Sequence, residues 1–189
     1  MNNKSALIKI LAEKSLKVSK EPIFLLASGR KSNFYVDCKT TTLFSRGLLL
    51  VGKIIYERIA PLNIKGIGGL TLGADPIANA TAMVAGQKGI DLISFVIRKQ
   101  PKKHGLLKWI EGGVTTGDRV VIIEDVITTG GSTIEAIEKA KEAGLEIVKV
   151  IVLVDREEGG RENIQNKGYE VDAVFTKSEL MEEYIRLKE

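Results

Sequence analysis

Residues 120–133 read VVIIEDVITTGGST. Four apolar residues run into two adjacent acids, two more apolar residues follow, and the last six are only Thr, Gly and Ser. The apolar run is continuous rather than alternating, which is the pattern of a strand buried on both faces. TTGGST leads into STIEAIEKAKEAG (132–144), where Ile134, Ile137, Ala140 and Ala143 recur on one helical stripe. Ser132 and Glu135 have the spacing of a capping box, and Gly144 is placed to end the helix. A buried strand, a small-residue turn and a helix in that order predict a βα unit.

The same alternation runs along the chain. IKGIGGL (64–70), IDLISFVI (90–97), EIVKVIVLVD (146–155) and YEVDAVF (169–175) read as further buried strands. DPIANATAMVAG (75–86) reads as a helix, with Asp75 as N-cap and Pro76 at the first helical position. Upstream, SALIKILAEKSL (5–16) and FSRGLLLVGKIIYERIA (44–60) are amphipathic helices, the second capped by Ser45. FLLASGRKSNFYVD (24–37) reads as short strands around a polar turn. The expected fold class is α/β: a mostly parallel central sheet with helices on both faces, formed by right-handed crossovers. Residues 1–189 form one domain on this reading, with about 1–40 as a small N-terminal hood layer. Ligands in such sheets bind beyond the carboxyl ends of the strands.

Composition narrows the functional classes. The 189 residues are 44% hydrophobic and 28% charged, as in a soluble globular domain, with no repeat or low-complexity run. No apolar run has the length of a membrane span, and lysines break the N-terminal apolar residues too often for a signal peptide. The single cysteine, Cys38, cannot form an intrachain disulfide, so the expected location is cytoplasmic. With no histidine near it in sequence, Cys38 reads as a buried bystander. The net charge is +4, yet Arg98, Lys99, Lys102, Lys103 and Lys108 lie within one segment that has no acid, leaving −1 for the rest. That is one basic element rather than a basic face, which argues against nucleic acid.

The chemistry sits at the strand ends. A TTGGST turn at a helix start leaves backbone N–H groups free, glycines allow close approach, and the helix dipole favours an anion. It is a phosphate cradle without a lysine. GxxxxGK[ST] is absent and no GxGxxG follows a strand, so ATPase and dinucleotide readings find no support. Adjacent strand residues point to opposite faces, so Glu124 and Asp125 are not expected to clasp one metal. At least one is suited to accept hydrogen bonds from sugar hydroxyls; the plainer alternative is exposed acids on an ordinary turn. RKQPKKHGLLKWIEGGVTTG (98–117) has little regular pattern and is long enough for a functional loop, although lysines are also common in surface loops. It holds His104, the only histidine.

Hydrophobic strand, acidic pair and T-T-G-G-S-T together resemble the signature of type I phosphoribosyltransferases, which bind 5-phosphoribosyl 1-diphosphate (PRPP). The resemblance implies that Glu124 and Asp125 contact the ribose, and that Val126, Ile127, Thr128, Thr129, Gly130, Gly131 and Ser132 bound the 5′-phosphate site. The spacing of Arg98, Lys99, Lys102, His104 and Gly105 looks like the catalytic loop of orotate phosphoribosyltransferases. In that family the loop crosses a homodimer interface to the neighbour's diphosphate. SGRKSNFYVD (28–37) resembles their orotate-site segment, making Phe34 and Tyr35 candidates to pack on the pyrimidine, with core aromatics as the alternative. GGLTLGADPIA (68–78) matches the loop that approaches the diphosphate. Arg156 matches the arginine that binds the orotate carboxylate, with Thr128 beside it, and a planar guanidinium suits that partner.

The five motifs span about 20–165. Some members have lysines where this chain has Ala27 and Leu72, so those diphosphate contacts are not assigned. Leu106, Leu107 and Trp109 stand where small or polar loop residues are usual. The resemblance implies transfer of the phosphoribosyl group from PRPP to orotate, with Arg98, Lys99, Lys102, His104 and Asp125 catalytic. Mg²⁺ is held mainly by substrate, with no protein metal site. The other readings are a phosphoribosyltransferase for a purine base, or a PRPP-binding regulator of this fold.

Overall fold

The computed structural model describes residues 2–25, 29, 31–101 and 109–189. In chain order the N-terminal part comprises α1 (Asn3–Ile10), β1 (Leu16–Val18), β2 (Phe24–Leu25), β3 (Lys31–Ser32), β4 (Phe34–Val36) and α2 (Lys39–Thr42). Then follow α3 (Ser45–Ile59), β5 (Gly66–Leu70), α4 (Ala74–Gln87), β6 (Ile93–Ile97), β7 (Ile110–Glu111), β8 (Arg119–Ile127) and α5 (Gly131–Glu142). The chain ends with β9 (Glu146–Asp155), α6 (Gly160–Gln165), β10 (Val171–Thr176) and α7 (Lys177–Arg186).

Six strands form the central sheet in the order β10-β9-β8-β5-β6-β7, all parallel except the β6–β7 pair. The continuous apolar runs are explained by what lies on each face. Val121, Ile123, Ile151 and Leu153 pack with side chains of α1, α3, α4 and α7, whereas Val120, Ile122, Val150 and Val152 pack with α5 and α6. Period two along the middle of each strand therefore feeds two cores, and in β8 and β9 most polar residues lie toward the ends. The N-terminal strands stay outside this sheet: β1 pairs antiparallel with β4, and β2 with β3. Leu7, Leu11, Leu16, Phe34 and Val36 still join the first core, which attaches this layer.

Several local expectations are corrected. The helix expected over 5–16 stops at Ile10 and continues as a π turn over Leu11–Ser15, with the Leu16 N–H reaching the Leu11 carbonyl. Ser45 lies inside α3 rather than capping it, because the extended residue before the helix is Phe44. Asp75 lies in the first turn of α4, after Gly73, and its Oδ2 instead accepts from Thr71 Oγ1 at 2.6 Å. The Ser132/Glu135 capping box does not form. Left-handed Gly130, at φ +82°, precedes α5, and Ser132 and Glu135 are engaged elsewhere. The 98–117 segment is also more regular than expected, since β7 returns alongside β6. Among the described residues, no helix is long and apolar enough to cross a membrane.

Ile122 is fully buried in the central strand. Replacing it with alanine should lower the unfolding free energy by about 2–5 kcal/mol, read from urea denaturation with an unchanged m-value. A loss under about 1 kcal/mol would show that this face of the sheet is not tightly packed.

Candidate active site

β5 continues through α4 to β6 on one side, and β8 continues through α5 to β9 on the other. The chain thus diverges between β5 and β8, a topological switch point. Pairing of these strands ends at Gly68↔Ile122, while β8 runs on to Ile127 against β9 alone. The gap holds a cavity of about 250 Å³. Its walls are Leu70–Gly73 after β5, Glu124 and Asp125 of β8, Ser132 of α5, and the two lysines Lys39 and Lys99. A Cβ on Gly73 would run into the Asp125 carboxylate, so only glycine lets the loop lie against it.

Strand alternation was expected to part the two acids, but both reach this cavity. The glutamate chain is one methylene longer, and beyond Ile122 there is no β5 backbone between them. Glu124 is 6% exposed. Its Oε2 accepts from Ser132 Oγ at 2.9 Å and from Thr133 Oγ1 at 3.1 Å. Burial first, and then the Asp125 charge, push the Glu124 pKa up to about 7 despite those hydroxyl donors. Burial also raises Asp125, against the lowering effect of Lys39 and of the hydrogen bond from Glu124. Both acids are thus held toward their neutral forms, and Asp125 Oδ1 accepts from the Val126 N–H at 2.9 Å.

Beyond Val126 and Ile127, Thr128–Ser132 turn into α5 around left-handed Gly130. The turn is braced from α6: a Cβ on Gly130 would stand 2.9 Å from the Gly160 carbonyl oxygen, and Asn163 Nδ2 donates to the Thr129 carbonyl at 3.0 Å. No side chain caps α5, so its first N–H groups remain open to an anion.

At the start of the basic segment, Arg98 and Lys99 part. Lys99 lines the cavity, whereas the Arg98 guanidinium turns to Glu111, with Nη1 to Oε1 at 2.8 Å. Lys102, His104 and Gly105 lie outside the described residues, as do Lys103, Leu106, Leu107, Lys108 and Ala27.

Arg156 follows β9, and its N–H donates to the Ile127 carbonyl at 3.0 Å, one strand over from the turn. Arg156 is only 3% exposed. Nε and Nη2 both donate to Glu158 Oε1, at 3.0 and 2.8 Å, and Nη2 also lies 3.3 Å from the Phe34 carbonyl oxygen. Phe34 is 2% exposed, and its ring underlies Arg156 and Lys177 at 5.2 and 5.4 Å. Its ring is thus a core support for the guanidinium rather than an open platform for a flat ligand. Tyr35 is half-buried and stacks on Phe24, with centroids 5.8 Å apart.

The structure therefore brings Lys99, Glu124, Asp125 and Ser132 to one cavity, with Thr128–Gly131 beside it and Arg156 next to the turn. It turns the Arg98 side chain and the Phe34 ring away. Sequence reasoning missed Lys39, whose Nζ is 2.7 Å from Asp37 Oδ1, and Glu158; both were visible only as unremarkable charges. Two carboxylates supply hard oxygen donors that suit a divalent cation. No group of three or more His, Cys, Asp or Glu side chains placed to hold a metal ion occurs among the described residues.

Comparison with known proteins agrees with this geometry. Residues 69–179 match the phosphoribosyl transferase domain family. The chain is 45% identical over 181 residues to the orotate phosphoribosyltransferase of Aquifex aeolicus, covering 96% of this chain and 99% of that one. The orotate phosphoribosyltransferase of Mycobacterium tuberculosis H37Rv, solved with Fe(III) dicitrate, superposes with TM-score 0.83 at 35% identity, covering 95% and 99% of the two chains. The same enzyme solved with 5-phospho-α-D-ribosyl 1-diphosphate gives TM-score 0.78 at 33% identity, with the same coverage of 95% and 99%.

The buried acids make stability depend on pH. Between the ordinary glutamate value of 4.5 and about 7, the folded state keeps a Glu124 proton that the unfolded chain has released. The unfolding free energy therefore falls as pH rises through that window, and raised Asp125 adds a decline of the same sign. The urea midpoint should drop from pH about 5 to about 7.5, and Glu124→Gln, neutral throughout, should remove most of the slope. A wild-type slope in the variant would place the titrating group elsewhere.

Proposed function

The chain belongs to the phosphoribosyl transferase family, and from that membership we infer how its site carries out the reaction of an orotate phosphoribosyltransferase. The enzyme transfers the 5-phosphoribosyl group of PRPP to orotate, giving orotidine 5′-phosphate and diphosphate. The observation that carries the reading is the pairing of an open helix N-terminus with a buried carboxyl pair at a switch point. One end suits the 5′-phosphate and the other the sugar.

Thr128–Ser132 offer N–H groups to the 5′-phosphate. Asp125 and Glu124 accept hydrogen bonds from the ribose hydroxyls, Glu124 after giving up its proton. Their negative charge also favours the positive charge that develops at C1 as diphosphate leaves and N1 of orotate arrives. No covalent enzyme intermediate is needed; both reactants are held in line. Lys39 and Lys99 stand beside the acids and face the diphosphate, offsetting the lysines absent at Ala27 and Leu72. Mg²⁺ held mainly by substrate oxygens would neutralise charge on the leaving diphosphate, with Glu124 and Asp125 as the carboxylates lining the same cavity. Arg156 holds the orotate carboxylate. Glu158 and the Phe34 carbonyl use Nε and Nη2, and among the described residues Nη1 has no acceptor. Lys102 and His104 complete the diphosphate contacts.

An Arg98 side chain directed away from its own cavity supports a loop shared between subunits of a homodimer. On this reading residues 1–189 form one domain whose first 40 or so residues are the hood. The protein works in the cytoplasm in pyrimidine nucleotide synthesis, with PRPP and orotate as partners and neither nucleic acid nor membrane. A purine acceptor would have no use for the buried Arg156.

Purified protein with orotate, PRPP and Mg²⁺ should consume orotate, followed by loss of its absorbance. Turnover of a purine base without turnover of orotate would overturn the reading. Arg156→Lys should raise the KM for orotate about tenfold or more and leave that for PRPP nearly unchanged. Lys102→Ala and Asp125→Ala subunits, each almost inactive alone, should regain part of the activity once exchanged into heterodimers. Mixing that restores nothing would exclude a loop shared between subunits.

A further inference from the structure

The basic segment is anchored on α5 by a buried cation. The Arg98 N–H donates to the Trp109 carbonyl at 2.8 Å, which joins the two ends of the segment. The Arg98 carbonyl accepts from Lys139 Nζ at 2.9 Å. Lys139 is 7% exposed. Its ammonium also donates to Glu135 Oε1 at 2.6 Å and stands 4.3 Å from the centroid of the Trp109 ring. Trp109 is held in turn by Nε1 donating to Glu142 Oε2 at 2.9 Å. A lysine buried this far is retained only where its hydrogens find partners, and these lie on α5 or at the two ends of the segment. If helix packing were its whole purpose, an apolar side chain would fill the space without desolvating a charge.

We propose that Lys139 is a positioning residue for diphosphate binding. With its N–H and its carbonyl both fixed, Arg98 has one backbone orientation. That orientation sends the next residue, Lys99, into the cavity and turns the Arg98 side chain out toward Glu111. The same ammonium ties this geometry to α5, whose first turn is the phosphate cradle. One helix thus sets the distance between the 5′-phosphate site and the Lys99 ammonium. Lys139 touches no substrate; it acts through the Arg98 carbonyl. Trp109, unusual for a catalytic loop, serves as the ring against which the cation rests. The inference rests on the reading of Lys99 as a diphosphate contact.

The test compares two probes that occupy different halves of the site, ribose 5-phosphate for the cradle and inorganic diphosphate with Mg²⁺ for the lysine side. Lys139→Met keeps length and volume while removing the charge. By calorimetry it should leave ribose 5-phosphate affinity within about twofold and weaken diphosphate about tenfold or more, with a matching rise in the KM for PRPP. Lys139→Arg, which retains a donor cation, should recover part of the loss. Glu135→Gln, a milder change at an exposed partner, should shift diphosphate in the same direction and keeps the test available if Lys139→Met does not fold. Lys99→Ala should weaken diphosphate by itself, and adding Lys139→Met to it should cost little more. If Lys99→Ala weakens diphosphate but Lys139→Met does not, the inference falls and the reading of Lys99 stands. If Lys99→Ala has no effect, that reading falls and the inference with it. Equal loss of both probes in Lys139→Met would mean a displaced helix, and would also overturn the proposal.

Discussion

The Ser132 and Thr133 hydroxyls on a buried Glu124 oxygen join the end of the central strand to the first turn of the following helix. Much of the site depends on that junction. It draws the acid inward, where burial raises its pKa, and holds the helix N-terminus close to the strand end. Gly130, which has no side chain, stands at the cap position of α5, so the first N–H groups of the helix stay open for a ligand.

The sheet was legible because burial on both faces leaves a strong signal. Runs such as VVIIED and EIVKVIVLVD have no alternation to misread, and the strands begin and end close to the apolar runs. The turn was legible for a related reason, since Thr, Gly and Ser at a helix start have few other uses. Helix starts were less so. Asp75, Ser45 and Ser132 all have capping chemistry, but a cap depends on where the chain turns, and none of the three sits at the turn. Asp75 and Ser132 bond to Thr71 and Glu124 instead, and those pairings are set by tertiary approach rather than by spacing.

Buried charges were the least legible feature. Arg156 was found through its resemblance to a family position, and composition alone would have left it on the surface. Lys139 sits beside the apolar stripe of α5 and reads as one of several solvated lysines there. Its burial follows from Trp109, more than two dozen residues upstream, closing over it. Glu158 likewise reads as one acid in DREEGG, until the structure puts its carboxylate on the Arg156 guanidinium. The carboxylate partners are close in sequence, Glu158 to Arg156 and Glu135 to Lys139. The groups that enclose each cation come from other elements, Phe34 for Arg156 and Trp109 with the Arg98 carbonyl for Lys139, so no short window shows the burial.

The acids and cations of the cavity are better understood together than singly. Burial raises both Glu124 and Asp125, which favours their neutral forms and lowers the charge facing the Lys39 and Lys99 side of the cavity. A diphosphate arriving with a cation brings positive charge toward the acids and negative charge toward the lysines. Positive charge beside Glu124 favours its ionised form, the form that accepts from the ribose on the proposed reading. On that reading donor binding and proton release are linked, because the acids carry more charge once a cation is beside them. A cavity holding two permanently ionised acids would face the diphosphate with more negative charge before any cation arrived. On the proposed reading, the raised pKa values of the acids let the same residues receive an anion first and stabilise a cation afterwards.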